Sequence, residues 1–356
     1  MQKISFNNKS NPFFKSLKSK VDQYFITQNL DPRGNISLYF KGAFQICTAI
    51  GLYVSLVFLH PDIFLSVILC VLLGVNLAFL GFNIMHEGAH QSFSKVKWIN
   101  KMSAYVLNVL GGNALFWNIK HNLNHHTYTN IGGMDDDIEM EPFMRLHAAQ
   151  RRYWIHRFQH IYWVFLYSIS YFAWVFVNDF VKYFSGKLAT GHENQKLSFK
   201  EHLIFWFTKI AYVTVFVLLP AYFTSLISAL IGFGIMTAAT GLTLGIVFQM
   251  AHVVEDTSFP KPNVDTSKIE QEWAIHQVET TANFGTRNKL LSWALGGLNF
   301  QVEHHLFPKI SHIHYPAINA LVKETCHEFN IKYVEYSSLG AAFWSHLKHI
   351  KRLGVA

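Results

Sequence analysis

Charged side chains are scarce in this chain. Asp, Glu, Lys and Arg make up 15% of its 356 residues, where soluble domains carry about a quarter, so a fully hydrated surface is excluded. Cysteine is nearly absent too. Of the three, Cys47 and Cys70 lie inside apolar runs and Cys326 stands alone. That excludes a disulfide framework or a CxxC pair and points the working parts towards a reducing compartment. No stretch rich in Pro, Gly or Ser divides the chain, and no internal repeat or low-complexity tract appears, so residues 1–356 read as a single domain. The polar start, residues 1–38 with Lys3, Lys9, Lys15, Lys18 and Lys20, lacks a short apolar core with a cleavage site, and no cleaved signal peptide is expected.

Apolar residues are abundant instead: 51% of the chain is hydrophobic, with 32 Phe, 15 Tyr and 9 Trp. The net charge of +8 does not mark a nucleic-acid binder. Its Lys and Arg residues flank apolar segments, as in the cytoplasmic loops of membrane proteins, and form no Arg-rich helix with interleaved aromatics.

A spanning helix needs about 20 mainly apolar residues. Tyr39–Leu59 and Ile63–Met85 qualify, joined by the tight turn His60-Pro61-Asp62 as a hairpin. Ile161–Val181, Leu203–Thr224 and Leu226–Met250 follow. Basic residues fill the N-terminal segment, the region from Lys95 to Lys200 and everything after Lys261, and avoid the hairpin tips at His60–Asp62 and Ser225. All three basic regions therefore face the cytoplasm, which demands an even number of crossings between the second and the third. Ile161–Val181, rich in Trp and Tyr and ending in Asn178-Asp179, is read as interfacial. The expected fold is all-α and integral to the membrane. Four transmembrane helices form two hairpins (39–85 and 203–250), and a cytoplasmic helical cap (86–202 and 251–356) carries a di-metal site. Lys209, inside the third span, is expected to snorkel to the cytoplasmic end.

Histidines carry the chemistry. His86-Glu87-Gly88-Ala89-His90 follows the second span; His121-Asn122-Leu123-Asn124-His125-His126 comes next; Gln301-Val302-Glu303-His304-His305 lies far downstream. Positions i and i+4 share a helix face, so His86 with His90 and His121 with His125 each aim two imidazoles at one metal. His126 and His305 extend their clusters onto a neighbouring stripe, and Gln301 stands where its amide oxygen can ligate or orient a bound water. The parity argument, made without the clusters, brings all three to the cytoplasmic rim, and His252, at the end of the fourth span, joins them. His276 is a weaker candidate. His147, His156, His160, His192, His202, His346 and His349 are read as loop or interfacial residues.

The first cluster also matches H-E-x-x-H, the helix of zinc proteases with Glu as general base. That alternative leaves His121, His125, His126, His304 and His305 almost unused. Otherwise Glu87 lies beside the ligands or on the helix surface. Imidazole suits several metals, but redox-inert zinc has no evident use for two such sites near lipid, so iron is preferred.

With these residues in place, the sequence resembles the membrane fatty-acid desaturases, known for boxes of the type HxxxH, HxxxHH and HxxHH in this order. Gln301 in place of the first His of the third box resembles the front-end acyl desaturases, as does the stretch His126-Thr127-Tyr128-Thr129-Asn130 through Gly133, Asp135, Asp137 and Ile138. The likeness runs from about Ser37 to Tyr315. It implies a non-haem di-iron centre held by His86, His90, His121, His125, His126, His252, His304 and His305, with no further catalytic residue. It also implies dioxygen as co-substrate and a cis double bond placed in a lipid acyl chain. Many front-end desaturases carry a fused cytochrome b5 with an HPGG motif. Here His60-Pro61 continues as Asp62-Ile63, so the expected donor is a separate ferredoxin or cytochrome b5 with its reductase, in a bacterial inner membrane. A lipid hydroxylase on the same scaffold is the runner-up. Phe82, Phe116, Trp117 and Phe300 are candidate walls of an acyl tunnel. Asp135, Asp136 and Asp137 are candidate partners of the histidines or of a headgroup, and the basic loop at Arg151 and Arg152 is a candidate contact for the carrier.

Overall fold

The computed structural model describes residues 4–8 and 10–356. It is mostly helical, and five helices are long and apolar enough to cross a membrane: Ile36–Phe58, Ile63–Ala89, Trp154–Ser185, Phe199–Phe223 and Leu226–His252. Side chains just before them close the free N–H groups of their first turns. Asn35 accepts from Leu38 N, Asp62 from Phe64 N and Leu65 N, Ser198 from Glu201 N, and Ser225 from Ser228 N. The turn between the first two helices is tight enough to put His60 at φ 48°. The all-helical expectation misses two small parallel ribbons, Ser5–Phe6 against Lys268–Ile269 and Asn283–Phe284 against Glu335–Tyr336. Each is two residues long and ties distant segments of the cap together.

Small residues let the apolar helices approach closely. Gly74 lies against the Met236 carbonyl, and the Thr240 hydroxyl donates to Gly74 O at 2.9 Å. A Cβ on Gly241 would stand 2.6 Å from Tyr167 O, so only glycine lets the Trp154–Ser185 helix lie along the Leu226–His252 helix. The segment read from sequence as interfacial is thus one helical run of 32 residues, longer than the other four. Near both of its ends the chain bonds the polar segment 136–145. At the start, His156 bonds Pro142 O at 2.8 Å and Gln159 donates to Arg145 O at 3.0 Å. Just past the end, the Thr190 hydroxyl bonds Asp136, and Leu188 packs with Phe116 and Phe205.

Lys209 does not snorkel. It is 5% exposed, and its ammonium donates to Gly111 O, Val175 O and Asp179 at 2.7–2.8 Å. Val175 sits in a π-helical turn, Trp174–Asn178, where a carbonyl is free to accept it. Four histidines assigned to loops or the interface are likewise buried and bonded. His147 faces Glu139, His156 bonds Pro142 O, His346 bonds Tyr167 and Val253 O, and His349 bonds Leu146 O. Long-range partners hold these rings, and no local pattern announces them.

Phe13, Leu17, Val21 and Phe25 of the Pro12–Thr27 helix bury against Val302, Leu306, Ile318 and Val322. The N-terminal segment therefore buttresses the third histidine cluster directly.

Candidate metal centre

The second apolar helix does not stop where its long apolar run ends. It passes through a π turn at Gly81–Met85 and resumes over His86–Ala89. The Asn83 side chain uses the disturbance, donating to Phe79 O at 2.8 Å and to Ala294 O at 2.9 Å, which moors the first cluster to the segment leading into the third. The second cluster is itself a π-helix, Ile119–His125, and this changes what its spacing means. In an α-helix, residue i+5 points about 140° away from residue i. With i→i+5 bonding it returns to the same side. His126 therefore joins His121 rather than a neighbouring stripe: their Nε2 atoms are 3.2 Å apart. In the third cluster, Gln301–Leu306, Asn283 accepts from Val302 N at 2.9 Å and donates to buried Glu303.

All eight imidazoles expected at the centre come together. Ligating atoms of His86, His90, His121 and His304 lie within 4.8 Å of one another; so do those of His125, His252 and His305; and His126 groups with His304 and His305. All eight are buried. The Nε2 atoms of His90, His125, His252, His304 and His305 are enclosed and have no hydrogen-bond partner among the described residues. In four of them the other nitrogen is held from outside. His125 Nδ1 donates to both Asp135 oxygens at 3.0 and 3.1 Å, and His305 Nδ1 to Gln277 Oε1 at 2.8 Å. His252 Nδ1 faces Thr280 O at 3.4 Å, and the Tyr315 hydroxyl is 3.2 Å from His304 Nδ1. A carboxylate or carbonyl oxygen only accepts, so in His125, His252 and His305 Nδ1 carries a proton and Nε2 is the atom turned inward. Buried lone pairs without a donor are costly unless a cation takes them. Nitrogens bound to one ion at about 2.0–2.1 Å, about 90–110° apart, stand about 3.0–3.4 Å from each other. His86 Nε2 and His126 Nε2 are each 3.2 Å from His121 Nε2. The donor set fits a pair of metal ions.

Burial first, and neighbouring imidazoles after it, hold His90, His121, His126, His304 and His305 well below the ordinary histidine range. They are neutral near pH 7, as ligands must be. His125 is the exception: burial pulls it down, but the charge and hydrogen bond of Asp135, then Asp137, carry it above the usual value. A cation at Nε2 displaces that proton.

Glu87 is turned away from the cluster. Its Oε1 accepts from His312 N at 3.1 Å and lies 3.0 Å from His312 Nδ1. It is not placed as the base of a zinc protease. His276 is buried with its ring 5.0 Å from Phe6, outside the clusters. Its neighbour Gln277 is the residue that matters, and only the fold reveals it, because it meets His305 from 28 positions away. Thr280, Tyr315 and His312 were missed for the same reason. Trp117 stacks on His121 at 4.3 Å.

Beside the centre lies a cavity of about 530 Å³, lined by His86, His121, His252, His304 and Gln301 and by apolar groups including Phe82, Met85, Trp117 and Phe248. Phe116 and Phe300, proposed with them as walls, are buried elsewhere: Phe116 packs on Phe205, and Phe300 is absent from the lining. Asp135 orients His125, Asp136 bonds Thr190, and Asp137 pairs with Lys120.

The family model of the fatty acid desaturases matches residues 63–337. The chain is 33% identical to the sn-1 linoleoyl-lipid 6-desaturase of Arthrospira platensis, covering 99% of this chain and 95% of that protein. It is also 33% identical to the protein of the same name from Synechocystis sp., over 100% of this chain and 99% of the relative. The acyl-lipid (8-3)-desaturase of Physcomitrium patens is 31% identical over 96% of this chain and 72% of its own length. With the histidine centre, the adjoining cavity and these matches together, the chain belongs to the fatty acid desaturase family.

Proposed function

We propose that this chain is an integral-membrane di-iron desaturase of the front-end type, which places a cis double bond in the acyl chain of a lipid. The observation that carries the reading is the convergence of eight buried histidines, five of them with an unpartnered Nε2 among the described residues, beside a largely apolar cavity. His86, His90, His121 and His304 hold one iron and His125, His252 and His305 the other, with His126 at the junction of the two groups. Bound there, the irons supply dioxygen activation and removal of one hydrogen from each of two adjacent methylenes, with water as the second product.

The chain's own residues position and protect. A methylene offers no charge to grip, so the bond attacked is selected by where the chain lies. Phe82, Met85, Trp117 and Phe248 line that path. Asp135, Gln277, Thr280 and Tyr315 fix the rings, and Gln301 borders the cavity beside His304. Electrons arrive from a ferredoxin or cytochrome b5 at the cytoplasmic face. The acyl-lipid substrate is supported by the names of the relatives.

Four of the five apolar helices span. Trp154–Ser185 is read as lying at the cap without crossing, since His156 near its start and Thr190 just past its end bond Pro142 and Asp136 of one and the same cap segment, which supports the even count of crossings required by the basic loops.

Expression in a host without polyunsaturated lipids, with iron and a donor supplied, tests the function. Mass spectrometry should locate a new double bond, absent with His125→Ala or His304→Ala. A hydroxylated chain, or lipids identical to the empty-vector control, refutes it.

A further inference from the structure

Most charges around the cavity are satisfied. Lys120 pairs with Asp137; Asp136 takes the Thr190 hydroxyl and its N–H at 3.2 Å; Glu139 accepts from Gly133 N at 2.7 Å and from Gln150 at 3.0 Å. Lys182 differs. It lines the same cavity, half-buried, and its ammonium makes no hydrogen bond or ion pair among the described residues.

The helix that carries it explains the placement. Tyr167, Tyr171, Trp174, Asn178 and Lys182 follow one another at three- and four-residue steps and all line the cavity. One helix face thus runs about 22 Å along it, at 1.5 Å per residue, with Lys182 the last residue of that face to line it. Aromatic rings give way to an amide and then to an ammonium. Lys182 shares the cavity lining with His86, His121, His252 and His304, and Asp137, on the same lining, stands 3.6 Å from His125 Nδ1. An ammonium that borders a largely apolar cavity without an acceptor is placed to gain one from a ligand. The acceptor that every acyl lipid carries at the very head of its apolar chain, whatever its headgroup, is the ester or thioester carbonyl.

We propose that Lys182 binds the carbonyl oxygen at the carboxyl end of the substrate acyl group and so fixes the origin from which the site of desaturation is counted. This rests on the desaturase reading above and adds to it the residue that sets front-end regiochemistry. Asn178, one turn earlier on the same face, offers a second donor to the same head.

The test uses the full-length protein in membranes, comparing wild type with Lys182→Met and Lys182→Arg on a phosphatidylcholine and an acyl-CoA bearing the same acyl chain. Lys182→Met should keep its iron, raise KM by about tenfold, the effect of losing a hydrogen bond to a charged group, and scatter the double bond over neighbouring positions. Lys182→Arg should keep the wild-type position. A defect on one substrate alone identifies which of ester and thioester is bound. Unchanged KM and position in Lys182→Met, or loss of its iron, overturns the proposal. Failure of the wild type to desaturate refutes the function itself and is thereby distinguishable.

Discussion

Replacing Asp135 by asparagine exchanges one oxygen for an amino group at a site that is 0% exposed. Both oxygens of Asp135 are committed. Oδ1 accepts from His125 Nδ1 at 3.1 Å and from Asp137 N at 3.0 Å; Oδ2 accepts from His125 Nδ1 at 3.0 Å and from Asn130 N at 2.9 Å. Whichever way the amide turns, its NH2 faces a backbone N–H. One buried donor is left without an acceptor, at about 1–3 kcal/mol. The imidazole also loses the charge that fixes its tautomer. Losing such a partner weakens metal binding by about 10–100-fold, or about 1.4–2.8 kcal/mol. The loss should fall on the ion held by His125, His252 and His305 and spare the one held by His86, His90, His121 and His304. Elemental analysis of purified Asp135→Asn at limiting iron should show about half the wild-type content, with desaturation abolished. Full iron content with wild-type turnover would refute the argument that Asp135 aims His125.

Glu87→Gln should lower thermal stability by weakening the contact with His312 but retain iron, because Glu87 faces away from the cluster; iron loss equal to that of His90→Ala contradicts this. Gly241→Leu sets a side chain against the Tyr167 and Ser168 carbonyls, 2.6 and 2.8 Å from its Cβ; overpacking of about 1–3 kcal/mol should lower Tm in detergent, and an unchanged Tm refutes the close approach. Chelation should lower Tm and ferrous iron restore it, since ligands that bind only the folded state stabilise it; equal Tm with and without metal contradicts the donor-set argument.

The histidine boxes were legible because a helical repeat is local: two residues four apart share a face whatever surrounds them. His252 was legible by position, as the last residue of an apolar run aimed at the same rim. What the sequence could not show depends on backbone form or on distance along the chain. The π turn that swings His126 onto His121 has no signature in Ile119-Lys120-His121-Asn122-Leu123-Asn124-His125. The partners of the outer nitrogens come from elsewhere: Gln277 and Tyr315 are remote from the rings of their own clusters or follow them on another element. Lys209 misled because snorkelling is the default for a lone lysine near a span end, and its acceptors lie 30 to 98 residues away.

Metal content tests the central claim most directly. Protein purified without chelators should carry about two iron ions per chain, in keeping with two sets of imidazoles, and its iron content should fall by at least about half in His125→Ala and in His304→Ala. A single zinc ion per chain, retained in both variants, would contradict it.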